Sequence, residues 1–182
     1  VGRVNYDYKG KYFLEATMRA DATGEKFHPD NRWGYFPSVS GAWRLSQESF
    51  LVDSESVDNL KLRASYGVNG QQDIGGASSL YLDVYRFGNQ PSRYLFGNNP
   101  ILSTIPSPLN KDIRWETTRT IEFGIDYGLF KNRISGSINA FQKNSTDLLS
   151  IAPVADGANF TNRIQQNIGD LQVNGLEFTL NA

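Results

Sequence analysis

The clearest pattern in this chain is the alternation of apolar and polar positions from Trp115 to Phe130. Odd-numbered positions from 121 to 129 carry Ile, Phe, Ile, Tyr and Leu, whereas the even-numbered positions between them carry Glu, Gly, Asp and Gly. Side chains alternate between the two faces of a β-strand, whereas a helix repeats every 3.6 residues. The pattern therefore predicts a strand with one apolar face and one polar face.

Six further stretches alternate in the same way, so the sequence predicts an all-β fold built from antiparallel strands. Each strand is expected to lie beside the next one in sequence order. Phe13 is an exception, because it falls on the polar face of its strand. The seven predicted strands cover residues 3–9, 12–20, 35–46, 60–68, 115–128, 133–143 and 171–181.

The connections between these strands alternate between short and long. Short turns are expected at Lys9–Lys11 and Lys131–Asn132. Gln47–Asn59 is intermediate in length and is expected to include a helical turn. The long loops, rich in Gly, Pro, Asn and Ser, are predicted at Asp21–Gly34, Asn69–Arg114 and Asn144–Asn167. A loop as long as Asn69–Arg114 is uncommon in a compact domain and is usually functional.

Two architectures suit strands of this kind. In a soluble β-sandwich the apolar faces pack between two sheets, whereas in a transmembrane barrel they face lipid and the polar faces line the lumen. A barrel strand needs roughly 9–11 residues to cross the hydrocarbon, and the apolar part of the central strand, Ile121–Leu129, has about that length. Outer-membrane barrels alternate short periplasmic turns with long external loops. The barrel is therefore the favoured interpretation, and the sandwich is the alternative.

Composition narrows the functional classes. The chain of 182 residues has 18 basic and 19 acidic side chains, which gives no sign of nucleic-acid binding. The absence of Cys excludes disulfides and thiolate sites. The sequence holds no run of 18 apolar residues typical of a membrane helix. Aromatic residues make up 13%, which suits a barrel with aromatic interfaces. No signal-peptide pattern opens the sequence and Ala182 ends within a strand pattern, so an internal slice of a longer protein is expected.

Candidate chemistry is sparse, and no catalytic residue, metal ligand or cofactor is expected. His28 is the only histidine, which argues against a catalytic triad or a zinc site. The carboxylates of Glu116, Glu122 and Asp126 share the polar face, where neighbours two residues apart lie roughly 7 Å apart. That spacing would suit a glycosidase pair, although solvated lumen charges are the simpler interpretation. Calcium ligands are conceivable at the loop residues Asp30, Asp73 and Asp156, but ordinary polar loops are favoured.

Four segments stand out in this order along the chain: NRWGYFPSVSGAWRLS (Asn31–Ser46), LKLRASYGVNGQQDIG (Leu60–Gly75), WETTRTIEFGIDYGLFKNRISGSINAFQKNSTDLL (Trp115–Leu149) and NIGDLQVNGLEFTLNA (Asn167–Ala182). Together they resemble SusC-type (RagA-like) TonB-dependent outer-membrane transporters of Bacteroidota. The opening RVNYDYKGKYFLEATMRAD fits the same family, whereas Asp21-Ala22-Thr23 departs from its frequent Asp-Gly-Ser.

The resemblance implies about seven strands of a barrel of roughly 22 strands in the bacterial outer membrane. Residues 1–182 would form part of that barrel domain, with the plug domain outside this chain. It further implies uptake of glycan or peptide, energy from the TonB complex through regions outside this chain, and a SusD-like surface lipoprotein with which the transporter can dimerise.

Three functional classes remain open from the sequence: a nutrient importer, a soluble module that grips sugars through exposed aromatic rings, and a glycosidase. In the importer, ligand contacts are expected in the long loops and on the polar face. The candidates for these contacts are Trp33, Tyr81, Tyr94, Glu116, Glu122 and Asp126.

Overall fold

A computed structural model describes residues 1–73, 79–88, 93–159 and 161–182 of the chain. Residues 74–78, 89–92 and 160, which belong to the predicted long loops, lie outside the described residues. The described strands are β1 (Gly2–Tyr8), β2 (Tyr12–Ala22), β3 (Trp33–Arg44), β4 (Val57–Gln71), β5 (Tyr85–Phe87), β6 (Arg93–Phe96), β7 (Asn99–Leu102), β8 (Thr104–Pro106), β9 (Glu116–Leu129), β10 (Ile134–Thr146), β11 (Leu149–Pro153), β12 (Arg163–Asn167) and β13 (Leu171–Asn181).

Seven long strands form one antiparallel sheet in the order β1-β2-β3-β4-β9-β10-β13. These are the seven strands predicted from the alternation, and their predicted order is confirmed. Several run further than predicted: β4 covers 57–71 rather than 60–68, and β10 continues to Thr146. Polar pairs such as Gln71 with Glu116 extend the ladders, because backbone hydrogen bonds do not require an apolar partner above them.

The two longest predicted loops contain strands of their own, so the prediction of irregular structure there was wrong in part. β5 pairs with β8, β6 with β7, and β11 with β12, each as a separate two-stranded ladder. These strands have only three to five residues. A period of two cannot be recognised over so few positions.

Two short helical turns accompany the strands, at Pro29–Asn31 and Leu45–Gln47. The second lies at the start of the connection where a helical turn was predicted, and the Val52 N–H continues the winding by donating to the Glu48 carbonyl at 2.8 Å. No helix in the described part of the chain is long and apolar enough to cross a membrane.

The register of the large sheet gathers its apolar side chains on one face. One cross-strand row of this face runs through Trp43, Leu62, Ile125, Ile138 and Phe178. The face is open: Phe123 is 62% exposed and Leu176 is 82% exposed. None of the other described strands forms a sheet that covers it, so the described residues give no support to a β-sandwich.

The main buried cluster lies at the end of the sheet from which the long loops emerge. Ser38–Arg44 of β3 pair with Lys61–Gly67 of β4, but the first residues of β3 have no partner there. The rings of Phe36 and Trp115, 5.2 Å apart, pack against Gly34 and Gly70, where a side chain would collide with them. The cluster thus fills the place where the two strands stop pairing. Its buried members are Phe27, Phe36, Leu80, Ile113 and Trp115.

Candidate functional site

Arg63 is the centre of a charged network on the polar face of the sheet. Its Nε and Nη2 donate to the two carboxylate oxygens of Asp126, both at 2.9 Å. Nη2 also donates to Oδ1 of Asn139 at 2.9 Å, and Nη1 lies 3.9 Å from Oε1 of Glu122. A bidentate pair of this kind fixes the guanidinium in one orientation. The network therefore ties β4, β9 and β10 together on one face.

Gly124 makes this arrangement possible. It stands directly between Arg63 and Asn139 in the register of the three strands. A Cβ at this position would lie 2.6 Å from Oδ1 of Asn139 and 2.9 Å from Nη2 of Arg63. The guanidinium crosses β9 over the bare backbone of this glycine, and any side chain would push it aside.

The three predicted carboxylates do not form one open cluster. Asp126 and Glu122 meet around Arg63, whereas Oε2 of Glu116 accepts a hydrogen bond from the Leu149 N–H at 3.0 Å. Arg63 occupies both oxygens of Asp126. Of these three groups, Glu122 has the loosest link to a described neighbour. The arrangement is that of a solvated wall and lacks the two free carboxyl groups that a glycosidase would hold on either side of its substrate.

The three predicted aromatic residues lie away from these carboxylates. Trp33 is 58% exposed and shares the apolar face of β3 with Val39 and Trp43, because all three are odd positions of one strand. Tyr81 packs edge-on against His28, with ring centroids 5.8 Å apart. Tyr94 is 54% exposed on the ladder of β6 and β7. Tyr81 and Tyr94 therefore belong to the long connection and not to the polar face.

Phe13, the exception in the sequence pattern, has a clear role on the polar face. The guanidinium carbon of Arg44 lies 5.3 Å from its ring centroid, and Nζ of Lys61 lies 5.4 Å from the same point. Cations at such distances are attracted to the face of an aromatic ring. The ring is on the polar side because it accompanies two cations.

Sequence reasoning missed Arg63, Asn139, Arg44 and Lys61 as members of the site. All four occupy polar positions of predicted strands. Their meeting depends on which residues of separate strands stand side by side, and the alternation within one strand does not contain that information.

Asparagine side chains join the loops above the polar face. The Arg114 N–H donates to Oδ1 of Asn167 at 2.9 Å, and Nδ2 of Asn167 donates back to the Arg114 carbonyl at 2.8 Å. Asn159 makes the same two-way pairing with the backbone of Leu109, at 3.2 and 2.6 Å. Nδ2 of Asn110 donates to the Gln165 carbonyl at 2.8 Å. The ends of the two longest connections are therefore fastened to each other.

A second polar cluster lies at the opposite end of the sheet, beside the short turns. Oε1 of Glu48 accepts from the Tyr12 hydroxyl at 2.8 Å and from Nε1 of Trp43 at 3.1 Å. Oε2 accepts from Nζ of Lys11 at 3.2 Å. These hydrogen bonds, with that from Trp43 the largest influence, hold the pKa of the Glu48 carboxyl below its ordinary value.

No group of three or more His, Asp or Glu side chains in the described residues is placed to hold a metal ion. His28 accepts at Nδ1 from the Asp30 N–H at 3.4 Å, which caps the short helical turn. Its described side-chain partners are Asp30 and Tyr81, and neither belongs to a catalytic triad.

The sheet thus has an open apolar face and a charged polar face. Long connections joined by asparagine hydrogen bonds lie at one end, and short turns lie at the other. Residues 2–182 match the family of TonB dependent receptor-like β-barrels. The chain belongs to this family. It is therefore part of an antiparallel β-barrel of the bacterial outer membrane.

Relatives and solved structures agree with this family. The chain is 38% identical to TonB-dependent receptor SusC of Bacteroides thetaiotaomicron over 181 residues, which is 100% of this chain and 18% of SusC. It is 34% identical over 184 residues to a TonB-dependent receptor of Formosa agariphila, again over 100% of this chain and 18% of the relative.

Among solved structures, the chain is similar to the RagAB peptide importer in its closed-closed state, with a TM-score of 0.84 and 26% identity. That match covers 98% of this chain and 18% of the other. The open-open state of the same importer gives a TM-score of 0.81 at 25% identity, covering 98% of this chain and 18% of the other. These relatives are transporters and receptors, and the chain spans about a fifth of their length.

Family membership assigns the two faces of this barrel segment. In an outer-membrane barrel the apolar face meets lipid and the polar face lines the interior. We call the polar face the inner wall. Arg63 and its partners lie on the inner wall, whereas Trp33 lies on the lipid-facing side.

Proposed function

We propose that this chain is one section of the wall of a TonB-energised outer-membrane importer that takes up glycan or peptide. The observation that carries the proposal is the contrast between the two faces of one sheet. Ile121, Phe123 and Ile125 are exposed on one side, and the other side carries the partly exposed ion pair of Arg63 with Asp126. Water would not stabilise such an apolar surface in a soluble protein, but lipid would.

The dimensions of the apolar face support a membrane crossing. Trp33 and Trp43 stand at the two ends of β3, on the same face. Ten residues at about 3.3 Å each give roughly 33 Å along the strand, and a tilt near 40° projects this to about 25 Å, the height of a barrel's apolar band. Aromatic side chains concentrate at both borders of such a band.

The remaining parts of the importer would come from a longer protein. We infer a barrel of roughly 22 strands closed by a plug domain, with residues 1–182 entirely in the barrel and the TonB contact elsewhere. The similarity to SusC and to RagAB supports a SusD-like surface lipoprotein as partner, with which the transporter can form a dimer. RagAB is a peptide importer, and either peptide or glycan is compatible with a polar wall.

Two groups of residues are proposed to meet the transported ligand. On the inner wall, Glu122 is the carboxylate with room for a new partner, while Asp126 and Glu116 keep their present hydrogen bonds. In the loops, Tyr81 and Tyr94 offer aromatic surfaces on which a sugar ring or a peptide side chain can pack. Trp33, on the lipid-facing side, is proposed to border the membrane instead.

The two other functional classes receive no support. A soluble sugar-binding sandwich needs a second sheet over the apolar face, and no sheet of the described residues covers it. For a glycosidase, Asp126 would need a free oxygen, and Arg63 holds both. We therefore propose that the protein is not an enzyme.

The test is to place single cysteines on the two faces of β9 in the full-length protein, with any Cys outside residues 1–182 first replaced by Ser, since this segment itself has none. Cysteines at positions 121, 123 and 125 should react with a lipid-soluble thiol reagent and be protected from a water-soluble one. Glu122→Cys is the matched control, since it should show the water-soluble reaction. Protection of the three odd positions from both reagents would mean that protein covers them, and the importer would lose its main support.

A further inference from the structure

Two cations stand next to each other on the inner wall beside the short turns. Arg44 of β3 is the direct cross-strand partner of Lys61 of β4. Both occupy polar positions of their strands, on the same face as Phe13 and Arg63. Like charges directly opposite each other destabilise a sheet unless a counter-charge is near.

The carboxylate directly opposite Lys61 on the inner wall already has a partner. Asp126, the cross-strand partner of Lys61 on the other side, gives both of its oxygens to Arg63. Among the described residues, neither Arg44 nor Lys61 forms an ion pair.

The ring of Phe13 holds these two cations near each other. Arg44 and Lys61 lie 5.3 and 5.4 Å from its centroid, and both side chains are only partly exposed. An aromatic face offsets part of the repulsion, but it contributes no negative charge. The free hydrogen-bond donors of a guanidinium and an ammonium group remain available next to it.

Space for a ligand lies beside this ring. A depression of about 500 Å³ opens on the inner wall, and its lining residues include Phe13, Lys61 and the small side chains of Ser40, Ala42 and Ser65. Other acidic groups of this region are Asp7, whose Oδ1 accepts from the Gly10 N–H at 2.8 Å, and Glu15, which lies 3.6 Å from Arg3. Both line the depression, as do Arg63 and Glu122.

We propose that Arg44 and Lys61, placed by the ring of Phe13, form a carboxylate-binding site on the inner wall. The guanidinium is suited to bidentate contact with a carboxylate, and the ammonium adds a point charge. The carboxylate belongs either to an acidic side chain of the longer protein that reaches into the barrel or to a transported solute. The inference rests on the proposed function, because it takes the polar face as the interior of an importer.

The test uses the full-length protein in detergent and a carbodiimide, which joins a carboxylate to a lysine amine in direct contact and takes up the water released. Lys143 is the matched control: its Nζ lies 4.8 Å from the ring centroid of Phe141, but its cross-strand partners are Thr120 and Val173 instead of a second cation. Mass spectrometry of the digested protein then identifies what each lysine has been joined to.

An amide between Lys61 and an acidic residue outside residues 1–182, absent at Lys143, would support the site and name its occupant. If Lys61 forms no such amide, its reaction with an amine reagent should be slowed by acetate and not by acetamide, which would identify a solute as the source. Arg44→Gln should weaken either result by about tenfold, the effect of losing one charge-assisted hydrogen bond, and Arg44→Lys should retain most of it. An unchanged reaction of Lys143 in both variants would show that the substitutions leave the fold of the inner wall intact.

Two results would overturn the site. One is a Lys61 that reacts like Lys143, with no amide and no protection by acetate. The other is an amide only to Asp126, Glu122 or Asp7, since the wall itself would then neutralise the cation. Failure of the proposed function is measured separately, by the thiol reactions at positions 121, 123 and 125. A negative result at Lys61 with those positions facing lipid removes the carboxylate site alone.

Discussion

At the scale of single residues, the charged network on the inner wall depends on Gly124 having no side chain. Gly124 leaves the backbone of β9 bare, and the guanidinium of Arg63 lies across it between Asp126 and Asn139. All of these side chains are polar and partly exposed, so a change here should disturb the network without opening a hydrophobic core.

Gly124→Ala in the full-length protein should displace the Arg63 guanidinium and lower the free energy of unfolding by about 1 kcal/mol. This is the contribution expected of a hydrogen-bonded ion pair that is weakened because water screens it. The measurement is the temperature at which the barrel loses its compact migration on detergent gels. Gly41→Ala is the control, because a Cβ there meets only the Phe13 carbonyl at 3.8 Å. Both changes reduce the freedom of the unfolded chain equally. Equal midpoints for the two variants would show that Arg63 is not held over Gly124.

At the scale of elements, the connection between β3 and β4 is fastened to the end of the sheet by one carboxylate. Glu48 accepts hydrogen bonds from β2 through Tyr12, from β3 through Trp43, and from the first turn through Lys11. Glu48 lies outside the predicted strands, in a mostly polar stretch whose sequence does not indicate this role.

Acid should release this anchor. The pKa of Glu48 is lower in the folded protein than its ordinary value of 4.5, so the folded state binds the proton less readily than the unfolded state does. The stabilisation is therefore fully present above about pH 4.5 and is lost as the pH falls through the lower, folded pKa. The midpoint of thermal unfolding should fall more steeply below pH 4.5 in the natural protein than in Glu48→Gln. Parallel curves for the two proteins would contradict the anchor.

The elements also show what the sequence can and cannot predict. The alternation from Ile121 to Leu129 was sufficient for β9, because every second side chain meets lipid. Strands such as β5 and β11 were missed, since three or five residues give no usable period. The link of Arg63 to Asn139, 76 positions apart in sequence, depends on the pairing of three strands. No local pattern contains that pairing.

At the scale of the whole molecule, the apolar band decides where the protein sits in the membrane. Phe123 stands in the middle of the band on β9, Thr117 near the end from which the long loops emerge, and Glu122 on the inner wall. The cost of a charge on the lipid face depends on its depth in the bilayer.

Phe123→Arg should lower barrel stability or assembly by roughly 2–4 kcal/mol, whereas Thr117→Arg should cost about 0–1 kcal/mol. Glu122→Arg should leave folding intact and alter uptake only, because water in the lumen solvates either charge. The fraction of folded protein recovered in outer membranes measures the first two variants, and uptake of the transported nutrient measures the third. Equal losses for Phe123→Arg and Thr117→Arg would place position 123 away from the bilayer centre.

The register of the sheet has a further consequence for a solute inside the barrel. Trp43 ends the apolar side of β3, yet its row reaches β9 at Ile125, four residues before the apolar side of that strand ends at Leu129. A row that stands at the membrane border on β3 is therefore well inside the membrane two strands later. With strands about 4.8 Å apart and tilted near 40°, each row climbs by roughly 3 Å per strand. Arg63, Gly124 and Asn139 thus lie on a row that follows a helical path around the barrel interior. In the proposed importer, a solute that follows this row would rotate about the barrel axis as it advances.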